Sequence, residues 1–204
     1  MKLHLWIAGA AAAAVSAGLL VGSASQAQVP QPAAVLTADG KLQYPADYRT
    51  WVFLSSGVDM SYSEAAMAMA GDNHAFDNVF VDRAAYDGFQ KTGHWPEGTV
   101  FVLEVRRGAT KGSINKKGQF QTGVLGREVH VKDKRFKSGW AFFGFNGEGP
   151  GRELPQTSDC NVCHEQHGAV DTTFVQFYPT LLPVAEAKKT FSESYLADEK
   201  GAVK

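Results

Sequence analysis

Two cysteines occur in the 204-residue chain, three apart, with a histidine directly behind them: Cys160-Asn161-Val162-Cys163-His164. This C-x-x-C-H segment constrains the fold more than any other stretch. Two thiols at that spacing can each add to one vinyl group of a haem, and the adjoining imidazole is then placed beneath the iron as an axial ligand. Three other readings compete. A redox dithiol of the thioredoxin kind sits between a strand and a helix in a βαβ setting, whereas this motif follows a Gly- and Pro-rich loop, residues 147–155. A zinc site built from Cys160, Cys163, His164 and His167 would have to use adjacent ligands, and structural zinc motifs space theirs more widely. A plain disulfide across two residues would close a very short loop and stabilise little. The motif therefore reads as attachment of one haem c per chain, with Cys160 and Cys163 as anchors and His164 as the iron ligand.

The N-terminus supports that reading. Lys2 and His4 precede an apolar run over residues 5–21, and Ser25-Gln26-Ala27 fits the small-x-small pattern of a signal peptidase site. The run is short and Ala/Gly-rich for a membrane anchor, which takes ~20 strongly apolar residues. Residues 1–27 are expected to be a cleaved signal peptide, 28–43 a flexible lead-in, 44–185 the haem domain and 186–204 a polar C-terminal tail, solvated helix or frayed. The mature protein is expected in the periplasm or secreted, with no membrane association. The net charge is −1, with acids and bases interspersed and no basic stripe, which argues against nucleic acid as a partner.

Along the chain, Asp47 is expected to start a short helix through Trp51 and Phe53, and residues 57–73 give no firm pattern. Residues 78–81 read as a strand, after which Asp82 caps a helix through Ala84, Ala85 and Phe89 that Gly93 ends. Residues 99–106 are the clearest strand, with Phe101, Leu103 and Val105 alternating with Val102, Glu104 and Arg106. A Gly- and Lys-rich loop at 108–118 follows, then strands at 120–122 and 128–131, and the aromatic strand Trp140-Ala141-Phe142-Phe143-Gly144-Phe145. Strands in the middle and helices at both ends make the class α+β: an antiparallel β-sheet with flanking helices.

The order of these features resembles the cytochrome P-460 and cytochrome c′-beta family. The stretches that carry the resemblance are Tyr48-Arg49-Thr50-Trp51, Asp77-Asn78-Val79-Phe80-Val81, residues 92–104 (TGHWPEGTVFVLE), Glu128-Val129-His130-Val131, Trp140-Ala141-Phe142-Phe143-Gly144 and the C-x-x-C-H motif, together spanning about residues 44–183. The resemblance implies an antiparallel-sheet cytochrome, a homodimer packed through its sheets, and a five-coordinate iron open on its distal face. One branch of the family oxidises hydroxylamine and carries a bond between a lysine and the porphyrin. Another lacks that bond and binds nitric oxide or carbon monoxide beneath aromatic caps. The linking lysine is expected just after the Glu104 strand, which makes Lys111 the candidate, with Lys116 and Lys117 further into the same loop.

For the distal face, Glu148 and Glu153 are candidate proton acceptors, and Phe53, Phe76 and Phe80 candidate cap residues. Met60 is the candidate sixth ligand, ahead of Met67, Met69 and His74. A closed sixth site would make the protein an electron-transfer cytochrome. His167 is expected to stay on the proximal side, and His94 and His130 to be structural or surface residues. The functional expectation is an exported mono-haem c-type cytochrome that binds or redox-processes hydroxylamine or nitric oxide. A hydroxylamine-oxidising activity and an unidentified redox partner protein belong to that expectation.

Overall fold

A computed structural model describes residues 34–60 and 74–202. Six strands form one antiparallel sheet in sequence order: β1 (Val52–Val58), β2 (Ala75–Val81), β3 (Val100–Ala109), β4 (Phe120–Lys132), β5 (Trp140–Phe145) and β6 (Arg152–Glu153). Helix α1 (Arg83–Thr92) joins β2 to β3, and α2 (Asp159–His167), α3 (Leu182–Lys188) and α4 (Glu193–Ala202) follow the sheet. The α+β class with an antiparallel sheet is what the alternating strands imply.

Alternation along the strands sorts the side chains onto two faces. On one, Leu54, Val81, Phe101 and Trp140 pack beneath Ala85 and Phe89 of α1 and against Trp95, Val170, Val175, Leu181 and Ala185. On the other, Val100, Val102, Val129, Val131, Ala141 and Phe143 pack against Leu42 and Tyr48. That second face also buries Glu104, which is 1% exposed and hydrogen-bonded by Tyr48 and Arg49, with Arg106 Nε donating at 2.7 Å. Burial pushes the Glu104 carboxyl up, but these bonds and charges hold it below its ordinary value.

Three local differences from the sequence reading have physical causes. The helix expected from Asp47 through Phe53 is a single 3-10 turn, Tyr48–Thr50, because Val52 and Phe53 pair with β2 as part of an edge strand instead. The strands expected at 120–122 and 128–131 are one thirteen-residue strand. Gly123 and Gly126 do not interrupt it, and the extra residues are absorbed as irregularities in the register near Val105 and Arg106. Part of the expected flexible lead-in folds onto the sheet. Leu36 bridges Leu42, Leu42 bridges Gly151, and Leu42 is 1% exposed, so its apolar side chain is what holds residues 34–43. The signal-peptide segment 1–27, with Met67 and Met69, lies outside the described residues. No helix of the described residues is long and apolar enough to cross a membrane.

Candidate haem-attachment site

Helix α2 starts where its sequence directs. Ser158 caps it by accepting from the Asn161 N–H at 3.5 Å, and the Asn161 side chain reaches back to the Pro155 carbonyl at 3.0 Å. With the helix begun at Asp159, Cys160, Cys163 and His164 take positions i, i+3 and i+4 and so share one helical face. Both thiols are free. Burial raises both above the ordinary thiol value, with Glu128 adding to the effect at Cys160 and Asp159 at Cys163. A redox dithiol needs the opposite shift, toward thiolate.

The face carrying these residues lies over β4 and β5. Cys160 Sγ approaches Glu128 Oε2 at 3.8 Å, and the His164 ring stands 4.7 Å from Phe142, 5.0 Å from His130 and 4.1 Å from Phe174. Enclosure holds the imidazole down to a pKa of about 4, opposed by its bond to the Thr172 carbonyl, 2.7 Å from Nδ1. At neutral pH the ring is therefore uncharged, Nδ1 donates to Thr172, and the Nε2 lone pair is left for a metal.

Two further groups share this side of the sheet. Burial raises the Glu128 carboxyl above its ordinary value, with the Cys160 contact working against it. His130 is stacked on Phe142 at 3.8 Å and packed against Trp140 at 4.4 Å. Burial first, then the proximity of His164, push it well below an ordinary histidine. Neither group was singled out from the sequence as part of the site. The available signal was Glu128-Val129-His130-Val131, whose alternation puts both polar residues on one face of a strand.

The residues fit a haem. Among the described residues three buried side-chain polar atoms lack a partner, and two of them, His130 Nε2 and Thr172 Oγ1, belong to residues that contact His164. Next to Glu128 the sheet carries little side-chain bulk: Gly144 pairs with it directly, with Leu154 Cδ2 3.6 Å from where a Cβ would stand, and a side chain at Gly126, two residues away, would meet nothing within 4 Å. Half-buried Val79, Leu103 and Val105 continue this face. An apolar surface with little side-chain bulk beside two thiols and a neutral imidazole suits a planar ring attached through its edge.

The sequence model of the family described as Cytochrome P460 matches residues 45–175. The chain belongs to the cytochrome P460 family. Membership brings a haem cofactor and its iron. Comparison with curated proteins finds no match.

Within this P460-family fold, not every expected residue reaches the site. Lys111 is exposed in the loop beyond the β3–β4 ladder, eight residues past Leu103, the partner of Glu128. The strand part of that path, Leu103 to Ala109, is roughly 20 Å at about 3.3 Å per residue. The structure does not bring Lys111 to the cysteines, and the exposed Lys116 and Lys117 lie in the same loop. Met60 packs its Sδ and Cγ directly on Gly57 at the end of edge strand β1, and β1 stands three strands from β4. His74 pairs with Asp59 at 2.6 Å. Phe53 and Phe80 contact each other at 5.6 Å, and Phe80 reaches Tyr48 at 5.4 Å. Together with Phe76, which shares their strand parity, they lie on the sheet face opposite His164. Glu148 and Glu153 are exposed. His167 pairs with Asp198 of α4 at 2.7 Å and His94 with Asp171 at 3.0 Å.

The turn that holds the Thr172 carbonyl in place is itself unusual. Asp171 and Thr172 have φ of 48° and 58°. A non-glycine residue held left-handed costs on the order of 1 kcal/mol or more. Gly168 is needed where this turn crosses the helix end, because a Cβ there would stand 2.6 Å from the His164 carbonyl oxygen and 2.6 Å from the Thr172 carbonyl carbon.

Proposed function

We propose that this P460-family chain is an exported mono-haem c-type cytochrome that binds or redox-processes small nitrogen compounds, hydroxylamine or nitric oxide. In this reading Cys160 and Cys163 hold the haem by thioether bonds and His164 ligates its iron. The observation that carries it is the shared helical face of Cys160, Cys163 and His164, with His164 Nδ1 bonded to Thr172 at 2.7 Å so that Nε2 is free. The haem, when bound, supplies an iron able to coordinate and exchange electrons with the small molecule. The protein residues have separate tasks. Phe142, Phe174 and His130 exclude water around the imidazole. The Glu128 carboxyl, raised above its ordinary value by burial, accepts from the Cys160 sulfur at 3.8 Å and places an ionisable group beside the attachment point. The basic start and apolar run of residues 2–21 support export, and a homodimer packed through its sheets belongs to the same reading.

The deciding measurement is the optical spectrum of protein matured with a complete cytochrome-assembly apparatus. A reduced spectrum that shifts on adding carbon monoxide or nitric oxide supports an open coordination site. A spectrum indifferent to either gas would replace this reading with an electron carrier whose sixth site is closed. A broad, strongly red-shifted Soret band that Lys111→Ala abolishes would establish a lysine–haem bond. Since Lys111 stands far along the hairpin, the expected result is that Lys111→Ala leaves the spectrum unchanged.

A further inference from the structure

The turn that receives His164 Nδ1 has a conformation its own sequence does not favour. Val170 and Thr173 bridge each other, the Thr173 N–H donating at 2.9 Å and the Val170 N–H at 3.3 Å. Both residues between them, Asp171 and Thr172, have positive φ. Two left-handed central residues are type I′ geometry, normally supplied by Asn-Gly or Asp-Gly. Here the second position is a β-branched threonine, for which positive φ is a true outlier.

Contacts from outside the turn hold it. Asp171 Oδ2 accepts from the Trp95 backbone N–H at 2.9 Å and from Lys132 Nζ at 3.3 Å, and Oδ1 pairs with His94 Nδ1 at 3.0 Å. Lys132 Nζ also donates to the Trp95 carbonyl at 2.7 Å, so its position is fixed independently of Asp171. Trp95 Nε1 donates to Thr173 Oγ1 at 2.8 Å, which donates to the Val170 carbonyl at 2.7 Å. The segment after α1 and the end of β4 thus grip the turn at both ends, and the Thr172 carbonyl is what that grip presents to His164.

Resting on the reading of His164 as the iron ligand, we propose that Asp171 is a positioning residue for it. Asp171 pins the left-handed turn so that the Thr172 carbonyl meets Nδ1–H, which fixes the tautomer and orientation of the imidazole and strengthens its donation through Nε2. A hydrogen bond from the far nitrogen makes a histidine ligand more basic. Stronger axial donation favours the oxidised metal and lowers the reduction potential.

The test compares mature, haem-loaded wild type with Asp171→Ala at equal haem content. The expected result is a higher midpoint potential, a lower iron–histidine stretching frequency, and roughly fivefold faster solvent exchange of the His164 Nδ1–H, the size that follows from losing one hydrogen bond. The double variant Asp171→Ala/Thr172→Gly should return all three toward wild type, because glycine takes positive φ without restraint and keeps the carbonyl. A clamp that merely stabilised the fold would lower the melting temperature and leave potential and exchange rate where they were, and that outcome overturns the proposal. Should Asp171→Ala fail to mature, the His164 Nδ1–H exchange rates of haem-free wild type and haem-free Asp171→Ala are compared instead, and equal rates overturn the proposal. Wild-type protein that carries no haem would refute the haem reading by itself. The difference in Nδ1–H exchange between that haem-free protein and its Asp171→Ala variant would still decide whether Asp171 positions the ring.

Discussion

Glu128 shows how a single residue couples the site to pH. Its carboxyl is held above the ordinary value of 4.5 by burial, against the opposing pull of Cys160. Between 4.5 and the raised folded value, the folded protein keeps a proton that the unfolded chain has released. Stability therefore falls as pH rises through that window and is flat on either side of it. Glu128→Gln keeps the shape and cannot ionise, so it removes this fall. Thermal melts of the mature protein should show the two forms close together near pH 4 and the glutamine variant ahead once the window is passed. Parallel curves at every pH would show that the carboxyl is not held protonated. The sequence displayed Glu128 and His130 plainly, yet their part in the site was not legible. A strand pattern gives the parity of a side chain, while the approach of Cys160 Sγ to Glu128 depends on where α2 docks more than thirty residues later.

At the scale of elements, Asp82 joins two of them. Oδ1 accepts from the Ala85 N–H at 2.8 Å and caps α1, and Oδ2 accepts from the Val100 N–H at 3.0 Å at the start of β3. Asp82→Ala removes a cap worth about 1 kcal/mol and leaves the buried Val100 amide without a partner, a further loss of about 1–3 kcal/mol. Urea unfolding should show a loss of about 2–4 kcal/mol from the two contributions together, with Asp82→Asn recovering the helix cap. A loss within the ~0.5 kcal/mol of an ordinary surface change would mean that Val100 finds another acceptor. This cap, its terminator Gly93 at φ 77°, the alternation of β3 and the aromatic run of β5 were readable because each is set by neighbours in sequence. Strand β1 was not readable as a strand. Its burial pattern is broken by a register shift between Phe53 and Ser55, and only pairing with β2 makes it extended. The 170–173 turn was hidden for a similar reason, since Asp-Thr carries no local signal for a conformation imposed by Trp95, Lys132 and His94.

For the molecule as a whole, the family match stops at residue 175 while the core continues. Leu181 and Ala185 are fully buried beneath the sheet, and Phe191 and Tyr195 pack against the same cluster. Ser192 binds the segment just behind His164, its N–H donating to the Ala169 carbonyl and its hydroxyl to the Gly168 carbonyl, each at 2.8 Å. The charged composition that makes residues 186–204 read as a tail describes the outer side of α4 and leaves out its apolar contacts. A chain ended after Lys189 loses Phe191, Tyr195 and both Ser192 bonds. Two partly buried aromatics and two hydrogen bonds amount to about 3–5 kcal/mol, and urea unfolding of the truncated, haem-loaded protein should show a loss of that size. The double variant Phe191→Ala/Tyr195→Ala should reproduce most of it, because aromatic burial is the larger share. Since Gly168 and Ala169 sit between His164 and the strained turn, the truncated protein should also exchange the His164 Nδ1–H faster than the full chain. A truncated chain with unchanged stability and unchanged exchange would place the folding boundary at the end of α3 and return the last fifteen residues to the role of a solvated tail.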